Sequence, residues 1–85
     1  MAHYQYTPRG VCSRNISFDL EDGALRNVAF AGGCDGNLKA IGKLVEGADA
    51  AQVAATLRGN TCGPRATSCA DQLSKAIEGA LVQER

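Results

Sequence analysis

"ALRNVAFAGGCDGNLKAIGKLVEG" (residues 24–47) decides the fold, because its apolar period changes midway. Up to Gly32 it reads as a strand, with Val28 and Phe30 in phase at period two. From "DGN" (35–37) onward the period is helical: Leu38, Ile41, Leu44 and Val45 form one stripe, and Gly47 closes it. A β half is therefore expected before this junction and an α half after it.

Working upstream, "CSRNISFDL" (12–20) puts Ile16, Phe18 and Leu20 on one face, with Cys12 in phase. "EDG" (21–23) reads as a short hairpin turn in which Gly23 supplies the positive φ. Treated as a three-residue loop, it sets Ile16 opposite Val28 and Cys12 opposite Gly32. "HYQYT" (3–7) alternates too and gives a possible first strand, ended by Pro8. Downstream, Asp49 can cap a second helix, with Gln52 three positions later as in a capping box. That helix carries Ala50, Val53, Ala54 and Leu57 and stops at Gly59. A third helix starts at Thr67 or Ser68, with Leu73, Ala76, Ile77, Ala80 and Leu81 at helical spacing and Cys69 facing the core. The expected fold is α+β: a two- or three-stranded antiparallel sheet followed by three helices packed on it.

With 85 residues and no linker, repeat or low-complexity segment, residues 1–85 form a single domain. Two Phe, two Tyr and no Trp leave a thin core of small aliphatics, which a metal or partner can supplement. The formal charge is zero and no basic patch is interleaved with aromatics, which excludes nucleic-acid binding. No apolar run approaches the roughly 20 residues of a membrane span, and "MAHYQYTPRG" lacks a secretory apolar segment. A cytoplasmic protein is expected.

In a reducing cytosol, Cys12, Cys34, Cys62 and Cys69 point to metal binding or thiol chemistry rather than disulfides. The plain alternative is that they are buried fillers, since free cysteine is among the most buried residues. Their positions favour chemistry. Each sits at an element boundary: Cys12 follows Gly10, Cys34 lies in "GGCDG", Cys62 precedes Gly63-Pro64, and Cys69 opens a helix. Helix starts carry partial positive charge, which favours thiolates. Four thiolates suit a tetrahedral zinc ion or an iron–sulfur centre. A dithiol formed by Cys62 and Cys69 is the second reading.

The other candidates have simpler explanations. His3, the only histidine, lies near the terminus. Arg14 and Arg65 flank cysteines and read as exposed cations or anion holders. Asp35 and Asp71 read as helix-capping or first-turn acids. Gly33 and Gly36 read as permission for a tight approach beside Cys34.

"CSRNISFDLEDG", "FAGGCDGNLKAI" and "LRGNTCGPRATSCADQL" together resemble the TSCPD-domain family, in particular its small stand-alone four-cysteine branch. The name-giving Thr-Ser-Cys-Pro-Asp reads Thr67-Ser68-Cys69-Ala70-Asp71 here. The resemblance implies a link to adenosylcobalamin-dependent ribonucleotide reductases, where related domains lie at the C-terminus. It thereby makes a ribonucleotide reductase a candidate partner, as recipient of a docking or metal module or of electrons from a dithiol. Membership alone would also attach the activity of ribonucleoside-diphosphate reductase, but a chain this short cannot hold that radical machinery. The strand–turn–strand, the "G-C-x-G" entry to a helix and the late cysteine also resemble NifU-type iron–sulfur scaffolds. In that pattern Cys12, Cys34 and Cys69 match the three ligand cysteines. Arg14 stands where those scaffolds carry an acid, Ser68-Cys69 replaces His-Cys, and Cys62 is an addition.

Overall fold

The structure, a computed structural model, describes residues 2–11, 13–32, 35–61, 63–64 and 67–83, and of residue 35 the backbone alone. Three strands, β1 (Ala2–Tyr6), β2 (Ser13–Glu21) and β3 (Ala24–Gly32), precede three helices, α1 (Asp35–Val45), α2 (Ala50–Leu57) and α3 (Cys69–Gln83). The strands form one antiparallel sheet in the order β1-β2-β3. The expected α+β order holds, and "HYQYT" does supply the third strand, displaced by one residue toward the N-terminus.

The hairpin differs from its sequence reading in a way that matters. The loop has two residues, Asp22 and Gly23, both at positive φ (52° and 81°), as a type I′ turn requires. Leu20 accordingly faces Leu25 across the ladder. Two irregularities then shift the register. Phe18 is opposed by two residues of β3, Asn27 and Val28, with Asn27 at φ 54°, which is the left-handed residue of a bulge. At the far end Arg14 is the extra residue on β2. Ile16 therefore pairs with Phe30, not Val28, and Gly32 pairs with Ser13 where Cys12 had been expected.

One face of the sheet builds the core. Ile16, Phe18, Leu20 and Leu25 meet Ala50, Val53 and Ala54 of α2 and Leu73, Ala76, Ile77 and Ala80 of α3, with Val45 closing from α1. Helix α1 lies tight against β3: a Cβ built on Gly42 would stand 2.8 Å from the Val28 carbonyl oxygen. Leu38 and Val45 are buried and Ile41 half-buried, but Leu44 is 83% exposed. The fourth member of the expected stripe thus points outward, because α1 meets the sheet along a narrow line beside β3.

The connection from α1 to α2 straps the hairpin turn. Gly47 N donates to Leu25 O (2.7 Å), Leu25 N to Ala48 O (2.9 Å) and Ala50 N to Gly23 O (2.8 Å). Asp49 then caps α2 by accepting from Gln52 N at 2.9 Å. The Gln52 side chain does not complete a capping box; it donates to Thr56 Oγ1 at 3.4 Å.

Candidate functional site

Among the described residues five polar side chains are buried: Ser13, Ser68, Asp71, Gln72 and Ser74. All belong to one corner, where the N-terminus of α3 meets the start of β2. A thin apolar core tolerates buried polar groups only when they are hydrogen-bonded, and here each is.

Ser68 is the N-cap of α3. Its Oγ accepts from Asp71 N (3.1 Å) and donates to the Asn60 carbonyl (2.5 Å), and Asn60 Nδ2 donates back to it at 3.2 Å. Asp71, at the third helical position, reaches backward. Its Oδ1 accepts from Gly59 N (2.7 Å) and its Oδ2 from the Thr67 hydroxyl. The Thr67 hydroxyl, then the Gly59 N–H, hold the Asp71 carboxyl below its usual range against the opposing effect of burial. Gln72 Nε2 donates to Thr67 Oγ1 at 3.0 Å, while its Oε1 accepts from Arg9 N (3.1 Å) and Tyr6 OH (3.3 Å). Ser74 Oγ donates to the Asp71 carbonyl at 2.6 Å.

Thr67, Ser68 and Asp71 thus form the cap of α3, tying it to the loop after α2 and, through Gln72, to β1. Both carboxylate oxygens of Asp71 accept hydrogen bonds from this corner, so the acid in the first turn of α3 ties the helix to its cap. Cys69, the first residue of α3, is half-buried. Ser13 Oγ donates to its Sγ at 3.2 Å across 56 residues of sequence.

Of the four cysteines read from the sequence, the described residues include Cys69 alone; Cys12, Cys34 and Cys62 lie outside them, as do Gly33 and Arg65. No group of three or more metal-ligating side chains occurs among the described residues. His3 sits at the other end of the sheet. Its Nδ1 lies 2.6 Å from Asp19 Oδ1, and Asp19 is six strand positions, roughly 20 Å, from Ser13. The Asn27 side chain first, then His3, hold the Asp19 carboxyl below its usual range. Arg14 is exposed. Asp35 is the first residue of α1. At Gly36 an added Cβ meets nothing within 4 Å among the described residues, and the expected approach beside Cys34 lies outside them; the close backbone contact of α1 is at Gly42, against Val28 of β3.

Sequence reading missed Ser13, Gln72 and Asn60, and took Thr67 only as a possible start of α3. The bulge at Arg14 turns Ser13 inward, and bulges of this kind leave no mark in a period-two pattern. The Ser68-x-x-Asp71 spacing was a legible capping signal.

No helix is long and apolar enough to cross a membrane among the described residues. The family model described as TSCPD domain matches residues 1–81. Comparison with curated proteins and with solved structures gave no match.

Proposed function

Because the chain belongs to the TSCPD-domain family, we propose that it is a four-cysteine metal-binding module of the cytoplasm, in which Cys12, Cys34, Cys62 and Cys69 hold a zinc ion or an iron–sulfur cluster. The observation that carries this reading is the company kept by Cys69. Ser13, which follows Cys12 in sequence, bonds its sulfur and pairs with Gly32, two residues before Cys34. Asn60, two residues before Cys62, bonds the cap residue that precedes Cys69. Each cysteine thus has a neighbour one or two residues away at this corner, and two residues of chain reach about 7 Å.

The donor set fits the group. Four soft sulfur ligands suit zinc or an iron–sulfur centre, and the Ser13 O–H···S bond is the kind of outer contact that orients a thiolate ligand. When bound, the metal would supply a crosslink between the hairpin and α3. The chain's own residues do the positioning: Ser68 and Asp71 fix the first turn of α3, and Ser13 holds the Cys69 sulfur on the β2 side. With the resemblance to reductase-associated domains, the role is accessory, offering a docking or metal module to a larger enzyme such as a ribonucleotide reductase.

Elemental analysis of anaerobically purified protein tests this. Metal stoichiometric with protein is expected, lost on Cys69→Ser. Chelation should lower the melting temperature sharply, since binding energy in small zinc domains is on the order of 10 kcal/mol. Metal-free, reduced protein that melts unchanged with chelator would overturn the reading and favour the Cys62–Cys69 dithiol.

A further inference from the structure

Ser13, Ser68 and Ser74 are all buried, and their hydroxyl protons go to different acceptors. Ser68 Oγ donates to the Asn60 carbonyl at 2.5 Å and Ser74 Oγ to the Asp71 carbonyl at 2.6 Å. Ser13 Oγ, on a residue only 3% exposed, has one side-chain partner among the described residues, Cys69 Sγ at 3.2 Å. A carbonyl oxygen offers two lone pairs, whereas a thiol sulfur is a weak acceptor. Burying a hydroxyl costs free energy that only a good hydrogen bond offsets, and a neutral thiol provides a poor one. A metal ligand is different, because cysteine binds metal as the thiolate. A donor to an ionised acceptor makes a bond roughly twice as strong as a neutral pair. The Ser13 hydroxyl is therefore matched to the sulfur of a ligand and mismatched to that of a free thiol.

The placement of Ser13 is itself a departure from the regular sheet. Ile16, Phe18 and Leu20 alternate inward along β2, and period two would carry residue 14 inward and residue 13 outward. The extra residue at Arg14 reverses this, leaving Arg14 exposed and Ser13 buried opposite Gly32. A bulge disrupts the ladder locally and re-aims a side chain. Here it brings a hydroxyl, not an apolar group, to the first residue of α3.

We infer that Ser13 is a positioning residue of the metal site: its hydroxyl donates to the Cys69 sulfur when that sulfur is a ligand, and so retains the metal. The assignment rests on the four-cysteine reading and adds to it a contribution from Ser13 that exists only in the loaded protein. The rest of the corner behaves oppositely. Ser68, Asp71 and Gln72 bond nitrogen and oxygen partners of the chain itself, so their removal weakens the domain with or without metal.

Anaerobic titration of the reduced full chain with cobalt(II) alone tests this, read by sulfur-to-cobalt charge-transfer absorption. The unmodified chain, Ser13→Ala and Ser13→Thr are compared, and each is also melted in chelator. Loss of an outer-shell partner costs roughly 10–100-fold in metal affinity. Ser13→Ala is therefore expected to bind cobalt at least about tenfold more weakly, with its charge-transfer band displaced. Ser13→Thr, which keeps the hydroxyl, is expected to recover most of both. In chelator Ser13→Ala is expected to melt within about 4 °C of the unmodified chain. Unchanged cobalt affinity in Ser13→Ala, or a chelator melting temperature lowered by more than that margin, overturns this inference alone and leaves Ser13 a support of the fold. No cobalt uptake by the unmodified chain overturns the four-cysteine reading and this inference together.

Discussion

Replacing Ser68 with alanine removes one oxygen and disturbs three hydrogen bonds. The Asp71 N–H loses its capping acceptor, the Asn60 carbonyl loses its donor, and Asn60 Nδ2 loses its acceptor. Loss of a serine N-cap typically costs about 1 kcal/mol. The bond to the Asn60 carbonyl adds about another 1 kcal/mol, the usual net worth of a neutral hydrogen bond. The Asn60 amide is on an exposed residue and recovers its bond from water. The expected loss is therefore about 2 kcal/mol, or roughly 8–16 °C in Tm for a domain this small. Urea denaturation of reduced protein with chelator measures it free of any metal contribution. Ser68→Thr keeps the hydroxyl and is expected to recover most of the loss, less a small penalty for a methyl at a buried site. If Ser68→Ala stays within about 0.5 kcal/mol of the unmodified chain, the hydrogen-bonded corner does not hold α3 in the way described.

The same substitution should have opposite signs at two glycines. Gly42→Ala drives a Cβ to 2.8 Å from a backbone carbonyl and should destabilise by about 1 kcal/mol even after its helix-propensity gain. Gly79→Ala meets nothing and should stabilise dilute protein by up to about 1 kcal/mol, with urea midpoints deciding both. Leu73→Ala empties a fully buried position and should cost about 3 kcal/mol by the same assay. Asp71, whose folded pKa is depressed below 3.8, contributes stability that is fully present above that value and lost as pH falls through the lower folded pKa. Asp71→Asn should therefore be less stable than the unmodified chain at neutral pH and converge on it below about pH 3.8. Parallel stability curves for the two would refute that carboxylate's role.

Much of the architecture was legible because its signals are local. Period two in residues 16–20 and period 3.6 from Leu38 each follow from which residues touch a core, and Asp49 and Gly59 mark helix ends by their own chemistry. The hairpin register was not legible, because it depends on whether Asp22-Gly23 closes as two residues and on a bulge that Asn27 accepts at positive φ. Nor was the buried polar corner. Tyr6, Arg9 and Gln72 come together across more than sixty residues, and nothing in their immediate sequence announces it. Leu44 shows the complementary limit: a helical stripe reports which residues share a face, not how wide a surface is there to meet them.

The two ends of the hairpin differ in how far along the chain their partners lie, and this sets an order of folding. At the turn end, Leu25 is held by Gly47 and Ala48, so closure spans only some twenty residues. At the other end, Ser13 waits for Cys69, 56 residues on, and the entropy of closing a loop grows with its length. The hairpin and its strap should therefore gain amide protection in pulsed hydrogen exchange before α3 docks. Protection of α3 before Leu25 would reverse that order. Until docking, the Ser13 end of β2 remains open to solvent, and the hydrogen-bonded corner around Cys69 is the last part of the domain to close.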